Sequence, residues 1–427
     1  MISRALLLFA LLAAPWIATA ENPSVLTRFT LNEAESRVRV HSPRLKAARA
    51  ELVAASEQAR SQDAAQMPRL SLEANYRYIS EVPKFQLGPT PQPMGDNNNY
   101  SLGPQLSYVF WDSGASRNVQ RSLRKMEEAK QSENLLVERQ VLLSTRVAYV
   151  QAQLAQKELE LSERSLALAQ SQSNDIGARF RSGSASQLDA LSARMEVSNY
   201  ELRVAQARAE HAAALAELKV WVGDLPEALV LDPLDGGLPP LADTAVPTDH
   251  PLLRSQRSLA EGLRFSERGQ RAGHWPTLQM QAKTSLDFPN GPKLERFHQN
   301  TLSVGLSWPI FEWGRTSAAV AQKHAEQEAA SYRAEQATNE LVRDWTKAKS
   351  RYANLLEQGQ TVNRLLHEAQ NLAKLHYQTY RAGRISLLEV QTSNLRLLDT
   401  EIRKARIEAQ LRTQHQTLKF LNGEENL

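Results

Sequence analysis

The chain has 427 residues, a formal net charge of +4, 6% aromatic residues and no cysteine. So few aromatics exclude a thick globular core and favour long helices with narrow apolar seams. Lys and Arg are interleaved with Glu along the chain, which excludes the concentrated basic surface of a nucleic-acid binder, and without cysteine there is neither a disulfide nor a thiol to carry a lipid.

Residues 1–20 read as a secretory signal peptide. Arg4 supplies the positive start, residues 5–12 open an apolar run, and Ala18-Thr19-Ala20 forms the cleavage site. No later run reaches the roughly 18 apolar residues of a spanning helix, so any later membrane crossing must use strands.

The first repeat is set at residues 21–235. A helical pattern covers 31–66 and ends at Met67-Pro68. From 69 to 79 the even positions Leu70, Leu72, Ala74, Tyr76 and Tyr78 are apolar or aromatic and the odd ones polar, which is strand alternation. Residues 82–99, rich in Pro, Gly and Asn, read as a loop. Tyr100, Leu102, Leu106, Tyr108 and Phe110 then alternate again, completing a hairpin over 69–110. A helix without proline follows over 115–180, about 100 Å long. Leu143, Val147, Val150, Leu154, Leu161 and Leu168 give it a coiled-coil seam. After a tip at 181–186 a second helix covers 186–221, with Leu188, Leu191, Met195, Leu202, Ala205, Ala209 and Ala212 as its seam.

Prolines crowd residues 224–249, and a linker is set at 236–249. Everything then repeats over 250–427: a helix, a hairpin at 277–311, a long helix at 315–380, a tip at 381–386 and a helix at 386–422. His250-Pro251 matches Ser42-Pro43 at an offset of 208, and Phe311-Glu312-Trp313-Gly314 matches Trp111-Asp112-Ser113-Gly114 at 200. The eight extra residues belong in the first hairpin's loop. Seam positions Leu388, Leu395, Ile402, Ala405 and Ala409 copy Leu188, Met195, Leu202, Ala205 and Ala209. Duplication is the strongest signal in the sequence.

The two tips carry the same turn chemistry. Gly183 and Gly383 stand where a helix ends in a left-handed residue, and Arg181 and Arg381 lie at the negative end of the helix dipole. Ser186 with Asp189, and Ser386 with Glu389, are spaced as capping boxes that start the next helix.

Four strands of about ten residues have the length of membrane-barrel strands, but a barrel needs at least about eight. Open edges in lipid leave backbone groups unpaired, so several chains must share one barrel, two giving eight strands and three giving twelve. Tyr100, Tyr108, Trp111, Trp308 and Trp313 suit an interfacial aromatic girdle, the competing reading being core aromatics of a soluble sheet. No metal-ligand cluster or phosphate loop is present. Ser122 and Lys125 match S-x-x-K without its partner motifs, so no enzyme and no cofactor is expected.

The signal peptide, the two repeats, the elements Phe110-Trp111-Asp112-Ser113-Gly114 and Ile310-Phe311-Glu312-Trp313-Gly314, and the tips Phe180-Arg181-Ser182-Gly183 and Tyr380-Arg381-Ala382-Gly383 together resemble the TolC family of outer-membrane efflux proteins. The resemblance implies a mainly α fold with a small β part: a homotrimer with a shared 12-strand transmembrane β-barrel in the outer membrane of a Gram-negative bacterium and a helical α-barrel through the periplasm. It implies passive conduction in a tripartite efflux or type I secretion system, with a periplasmic adaptor and an inner-membrane pump of RND, ABC or MFS type as partners, and outer-membrane lipid around the barrel. Carried over residue by residue, Arg181, Gly183, Ser186, Leu188, Asp189, Tyr380, Arg381, Gly383, Ser386, Leu388 and Glu389 become the adaptor-docking tips. The family's gate residues do not carry over in the same way, and as a separate expectation Asp189 and Glu389, three copies each, form an acidic ring that binds cations and narrows the tunnel. The family's arginine two residues past the second glycine is Ile385 here. A periplasmic coiled-coil scaffold without a barrel is the alternative, disfavoured because the four strands sit at repeat-equivalent places.

Overall fold

The computed structural model describes residues 27–86, 88–89, 91–226, 229–234 and 249–423. The expected signal peptide and all of the expected linker except Asp249 lie outside the described residues.

The first repeat opens with a short strand, β1 (Thr27–Phe29), and then two helices where the sequence predicts one: α1 (Leu31–His41) and α2 (Pro43–Ala65). Thr30 starts α1 through a reciprocal capping box, its hydroxyl taking the Glu33 amide at 3.3 Å while its own amide donates to the Glu33 carboxylate at 2.9 Å. The break is at Ser42 because Pro43 lacks an N–H and pushes the residue before it out of the helical region; Ser42 sits at φ −59°, ψ 118° and caps α2.

The hairpin strands are β2 (Arg69–Tyr78) and β5 (Asn98–Trp111), and the expected loop between them contains a further small hairpin, β3 (Lys84–Gln86) with β4 (Pro91–Pro93). Composition alone hides it, because two strand ends are prolines at an edge that needs no donor. The chain then runs through α3 (Ala115–Arg181), α4 (Gln187–Val222) and a three-residue strand, β6 (Leu229–Leu231), which pairs in parallel with β1. The second repeat is α5 (Pro251–Arg271), β7 (Thr277–Phe288), β8 (Phe297–Ser307), α6 (Arg315–Arg381) and α7 (Leu387–Asn422). The long helices are 67 residues each and the returning ones 36 each, so both repeats build rods of equal length, about 100 Å.

One antiparallel sheet in the order β2-β5-β7-β8 joins the two hairpins. Two details depart from simple alternation. Tyr108 pairs with Met280 and Val109 with Gln279, but Trp111 pairs with Leu278, so a bulge at Phe110 turns Trp111 onto the apolar face. The last strand ends at Ser307, not Ile310, since Pro309 offers no ladder donor and restrains Trp308 before it.

The helical rods meet at mid-length in a core of Phe29, Ala34, Tyr149, Ala152, Leu218, Val222 and Leu231. The Tyr149 hydroxyl donates to the Phe29 carbonyl at 2.7 Å and accepts the Asp232 amide at 3.2 Å, while Gln153 donates to the Asp232 carbonyl. The segment around β6 is thereby strapped across α3. Beside it the buried Arg146 donates to Glu35 at 2.6 Å and to Gln416 at 3.2 Å, tying α1 and α7 to α3.

The expected seams divide. In α3, Val150 and Leu161 are buried, Leu143, Val147 and Leu154 are half-buried, and Leu168 is exposed. In α7, Ala405 and Ala409 are buried against Val150 and Leu234. The copy of that stripe on α4 faces outward: Leu188, Leu191, Met195 and Leu202 are 52–73% exposed, and Ala205, Ala209 and Ala212 are exposed with them. α4 packs on its own chain through Ala190, Ala193, Tyr200, Val204 and Ala207 instead. Periodicity identifies the stripe but not what covers it.

Candidate functional site

At the tips both helices end in the same closed turn. The Ser184 amide donates to the Arg179 carbonyl at 2.7 Å and the Gly183 amide to the Phe180 carbonyl at 3.0 Å. In the second repeat Arg384 bonds Thr379 at 3.1 Å and Gly383 bonds Tyr380 at 2.8 Å. These are paired Schellman bonds, possible because Gly183 and Gly383 sit at φ +78° and +71°. The starts of the next helices are less alike than their sequences. The Ser186 hydroxyl takes the Asp189 amide at 3.0 Å, whereas Ser386 makes no side-chain cap bond although Glu389 is spaced for a full box. Leu188 and Leu388 are 73% and 69% exposed at the end of the rod, with Arg181 and Arg381 exposed beside them.

Just behind the turns the two hairpins of the chain grip each other. Ile176, Ala190, Ala193, Tyr380, Leu387 and Val390 form a local core. The Tyr377 hydroxyl donates to Asp175 at 2.9 Å, and burial pushes this phenol up to about 12. Tyr380 is also raised, first by burial and then by the Asp189 carboxylate that its hydroxyl faces. Asn394 donates to Gln172 at 2.9 Å, Gln391 to the Ser192 carbonyl at 3.2 Å, and Arg179 to the Arg381 carbonyl at 3.3 Å. The two members of the expected acidic ring are therefore placed differently: Asp189 is half-buried beside Tyr380, while the Glu389 side chain is exposed and its carbonyl lies 3.2 Å from His376 Nδ1.

The other end of the molecule carries the aromatic residues. Tyr76, Tyr100 and Phe288 stand in register across β2, β5 and β7, with ring centroids 5.4 and 5.6 Å apart. Where the sheet joins the helices, Trp111, Trp275, Trp308, Phe311 and Trp313 are 44–90% exposed. The ten residue steps from Tyr100 to Phe110 span about 33 Å, which at a tilt of about 40° is a height of about 25 Å, that of an apolar barrel band. Between the two rows Leu70, Leu72, Leu302, Val304 and Leu306 are 63–73% exposed. Of the expected girdle residues, Tyr100, Trp111, Trp308 and Trp313 are exposed in the single chain and Tyr108 is half-buried. Tyr76, Phe288, Trp275 and Phe311 complete the rows and were missed in the sequence; Tyr76 and Tyr100 could have been paired there by their mirrored places in the hairpin.

The turn into each long helix is built alike. Ser113 and Trp313 take positive φ, 56° and 52°, just before Gly114 and Gly314. The Asp112 carboxylate accepts the amides of Gly114 and Ser116 at 3.0 and 2.6 Å, and its counterpart Glu312 holds Arg315 and Thr316. In both repeated elements, W-D-S-G and F-E-W-G, a left-handed residue followed by a glycine turns the chain out of the sheet, but only Asp112 accepts backbone amides of the new helix, Glu312 bonding the side chains of Arg315 and Thr316 instead. No helix among the described residues is long and apolar enough to cross a membrane.

A four-stranded sheet with open edges, an apolar outer face between two aromatic rows, and rods of about 100 Å ending in capped tips define a class of channel protein that joins a membrane β-barrel to a helical tunnel. The model of the outer membrane efflux protein family matches residues 35–224 and 251–424, and the chain belongs to that family, whose members are channels and not enzymes. Comparison with curated proteins found no match. Among solved structures, a membrane protein from Pseudomonas aeruginosa aligns with a TM-score of 0.80 at 18% identity, over 92% of each chain. The outer membrane protein VceC from Vibrio cholerae aligns at 0.78 and 17%, over 92% of this chain and 96% of the other. The open state of the MtrE outer membrane channel from Neisseria gonorrhoeae aligns at 0.77 and 16%, over 92% and 88%. These likenesses give the mostly helical fold with its small strand part, of the TolC-like α-barrel and β-barrel type.

Proposed function

We propose that the chain is the outer-membrane exit duct of a tripartite efflux or type I secretion system, acting as a homotrimer that conducts cargo passively from a periplasmic adaptor and an inner-membrane pump. The observation that carries this reading is the unfinished state of a single copy. Its sheet ends in two open edges, β2 and β8, and its α4 stripe is exposed at Ala205 and Ala209 where the same stripe on α7 is buried at Ala405 and Ala409. Backbone groups at a sheet edge cannot face hydrocarbon, so copies must complete the barrel, and three copies give twelve strands. The rods then form a tunnel through the periplasm, and the exposed tips, with Arg181, Leu188, Arg381 and Leu388 outermost, are where the adaptor docks. Asp189 and Glu389, three of each, line the narrow end.

Planar-bilayer recording on the purified protein tests conduction. Discrete ohmic currents without nucleotide or ion gradient are expected, and a protein that inserts but passes no current contradicts the reading. Replacing Leu188→Arg with Leu388→Arg should abolish co-purification of the adaptor while leaving those currents intact, because the tips lie a full helix length from the barrel. Replacing Asp189→Asn with Glu389→Asn should relieve block by added divalent cations.

A further inference from the structure

The hand of the chain decides which helix residues lie on the same side as the apolar face of the sheet. The odd, mostly polar positions of β2 point their amides at β5, as the Ile79 amide does in donating to the Asn97 carbonyl at 2.7 Å. With L-residues, β5 then lies to the left of β2 when the sheet is viewed from its apolar face with β2 running upward, and β7 lies left of β5. α5 therefore stands left of α3. It touches α3 through Gly262 and Gly269, where an added Cβ would meet the Ser122 carbonyl and the Val119 side chain at 3.2 and 3.4 Å. In a right-handed helix rising with that contact on its right, the residue one before each glycine turns about 100° toward the viewer. On α5 these residues are Glu261 and Arg268, and Phe265 shares their side. On the descending α3 the residue one before Ser122 is Arg121, which points the same way. The two assignments meet: the guanidinium carbons of Arg121 and Arg268 lie 5.8 and 5.6 Å from the centre of the Phe265 ring.

This side carries a surplus of positive charge at one depth. Arg121, Arg264 and Arg268 are exposed and make no ion pair among the described residues, because the nearby carboxylates are engaged: Glu128 and Glu261 hold Lys125, and Asp63 holds Arg124. The three arginines stand about 5–10 Å below the ends of α3 and α5 that join the sheet. The polar layer of a bilayer is about 5–8 Å deep on each side, and the exposed Trp111 and Trp275 mark where it begins. The other joint lacks the cluster. At the repeat offsets of 200 and 208, Arg121 becomes Ala321, Arg264 becomes Ser56, Phe265 becomes Glu57, and Arg268 becomes Arg60, which Glu57 pairs at 2.6 Å. The surplus is therefore one discrete patch per chain and not a continuous belt.

Resting on the membrane-barrel reading above, we propose that the joint of α3 and α5 binds the phosphate of an anionic phospholipid in the leaflet that faces the rods, one lipid per chain. Guanidinium groups from two helices converge on one phosphate, and charge-assisted bonds of this kind are the strong ones. Phe265 holds two of these cations in place and offers its ring to the glycerol end of the lipid. A zwitterionic lipid brings its own cation to the same place and is bound more weakly.

Native mass spectrometry of the detergent-extracted particle, given equal amounts of short-chain phosphatidylglycerol and phosphatidylcholine, tests this. Several-fold more phosphatidylglycerol should be retained, up to one per chain, and equal retention overturns the proposal. Arg121→Gln with Arg268→Gln should bring the ratio close to one, and so, in part, should Arg264→Gln, a change at an exposed side chain that leaves the fold intact. A ratio that survives both variants overturns the proposal. Arg60→Gln at the matching place in the other joint should keep the preference; if it is lost there too, the attraction is a general effect of charge and the discrete site is wrong. Inorganic phosphate that displaces phosphatidylglycerol better than potassium chloride of the same ionic strength would mark a free-anion site and sink the lipid. A three-chain particle that conducts but shows no lipid preference leaves the channel reading standing and removes this one. A single chain soluble without detergent removes both.

Discussion

α4 and α7 are the same helix twice: both have 36 residues, both follow a glycine-closed tip, and both carry a stripe of leucine and alanine at matching positions. One stripe is buried at Ala405 and Ala409, and its copy is open at Ala205 and Ala209. A duplicated sequence asks for the same contact in both halves, and one chain can supply it only once. The unanswered half describes the partner.

The comparison can be broken or sharpened position by position. The largest effect is expected in the sheet. A Cβ on Gly103 of the inner strand β5 would lie 1.9 Å from the Thr284 carbonyl oxygen, a contact no side chain survives, so Gly103→Ala should abolish barrel assembly. Its counterpart Ser303 on the edge strand β8 should accept alanine, and heat-resistant oligomer on semi-native gels separates the two outcomes. Next comes the stripe itself. Ala209→Arg should leave the helical circular dichroism of the chain intact but dissociate the oligomer. Ala409→Arg, at a position 1% exposed, should prevent folding.

A smaller effect belongs to the mid-rod tie between Glu35 and Arg146 in the first repeat. Glu35→Ala strands the buried Arg146 guanidinium and should cost about 3 kcal/mol in denaturant unfolding, whereas alanine at Thr346, the counterpart of Arg146, should change stability by less than about 0.5 kcal/mol. The smallest concerns the two helix starts. His250 caps α5 where Ser42 caps α2; its Nδ1 accepts the Leu252 amide at 3.3 Å and its Nε2 donates to the Phe420 carbonyl at 3.2 Å, so the ring is neutral. Burial is the main cause that holds its pKa below the ordinary value of about 6.5. The unfolded chain then takes up the proton first as pH falls. The stability from His250 is present above about pH 6.5 and is lost on acidification through the folded-state value. Thermal melts of His250→Ser should lose that acid limb of the pH profile.

Much of this architecture is legible before any coordinates. The 200-residue offset, the tip glycines and the alternation at 69–79 each follow from a local rule: left-handed geometry, a helix period, a strand period. What stays hidden depends on how elements meet. Ser42 breaks a helix that periodicity alone would continue. The bulge at Phe110 moves Trp111 across the sheet, which counting by twos cannot foresee. Ser386 and Glu389 have capping-box spacing, yet Ser386 makes no side-chain cap bond, while the full box is at Thr30 and Glu33. At the tip, Phe180 and Tyr380 look interchangeable in sequence, but only Tyr380 is buried within the chain and faces a carboxylate. The strap around β6 is three residues long and gains its place from Tyr149 and Gln153, on a helix some 80 residues earlier.

The measurement that bears most directly on the account is the protein mass of the particle extracted in mild detergent from separated outer membranes, by light scattering corrected for detergent. The 427-residue chain is 47.8 kDa. Three mature copies closing one barrel predict a particle of about 140 kDa, as a closed cyclic assembly requires. A single chain recovered in the soluble periplasmic fraction would contradict the account, because its open sheet edges and its uncovered stripe would then have no copy to complete them.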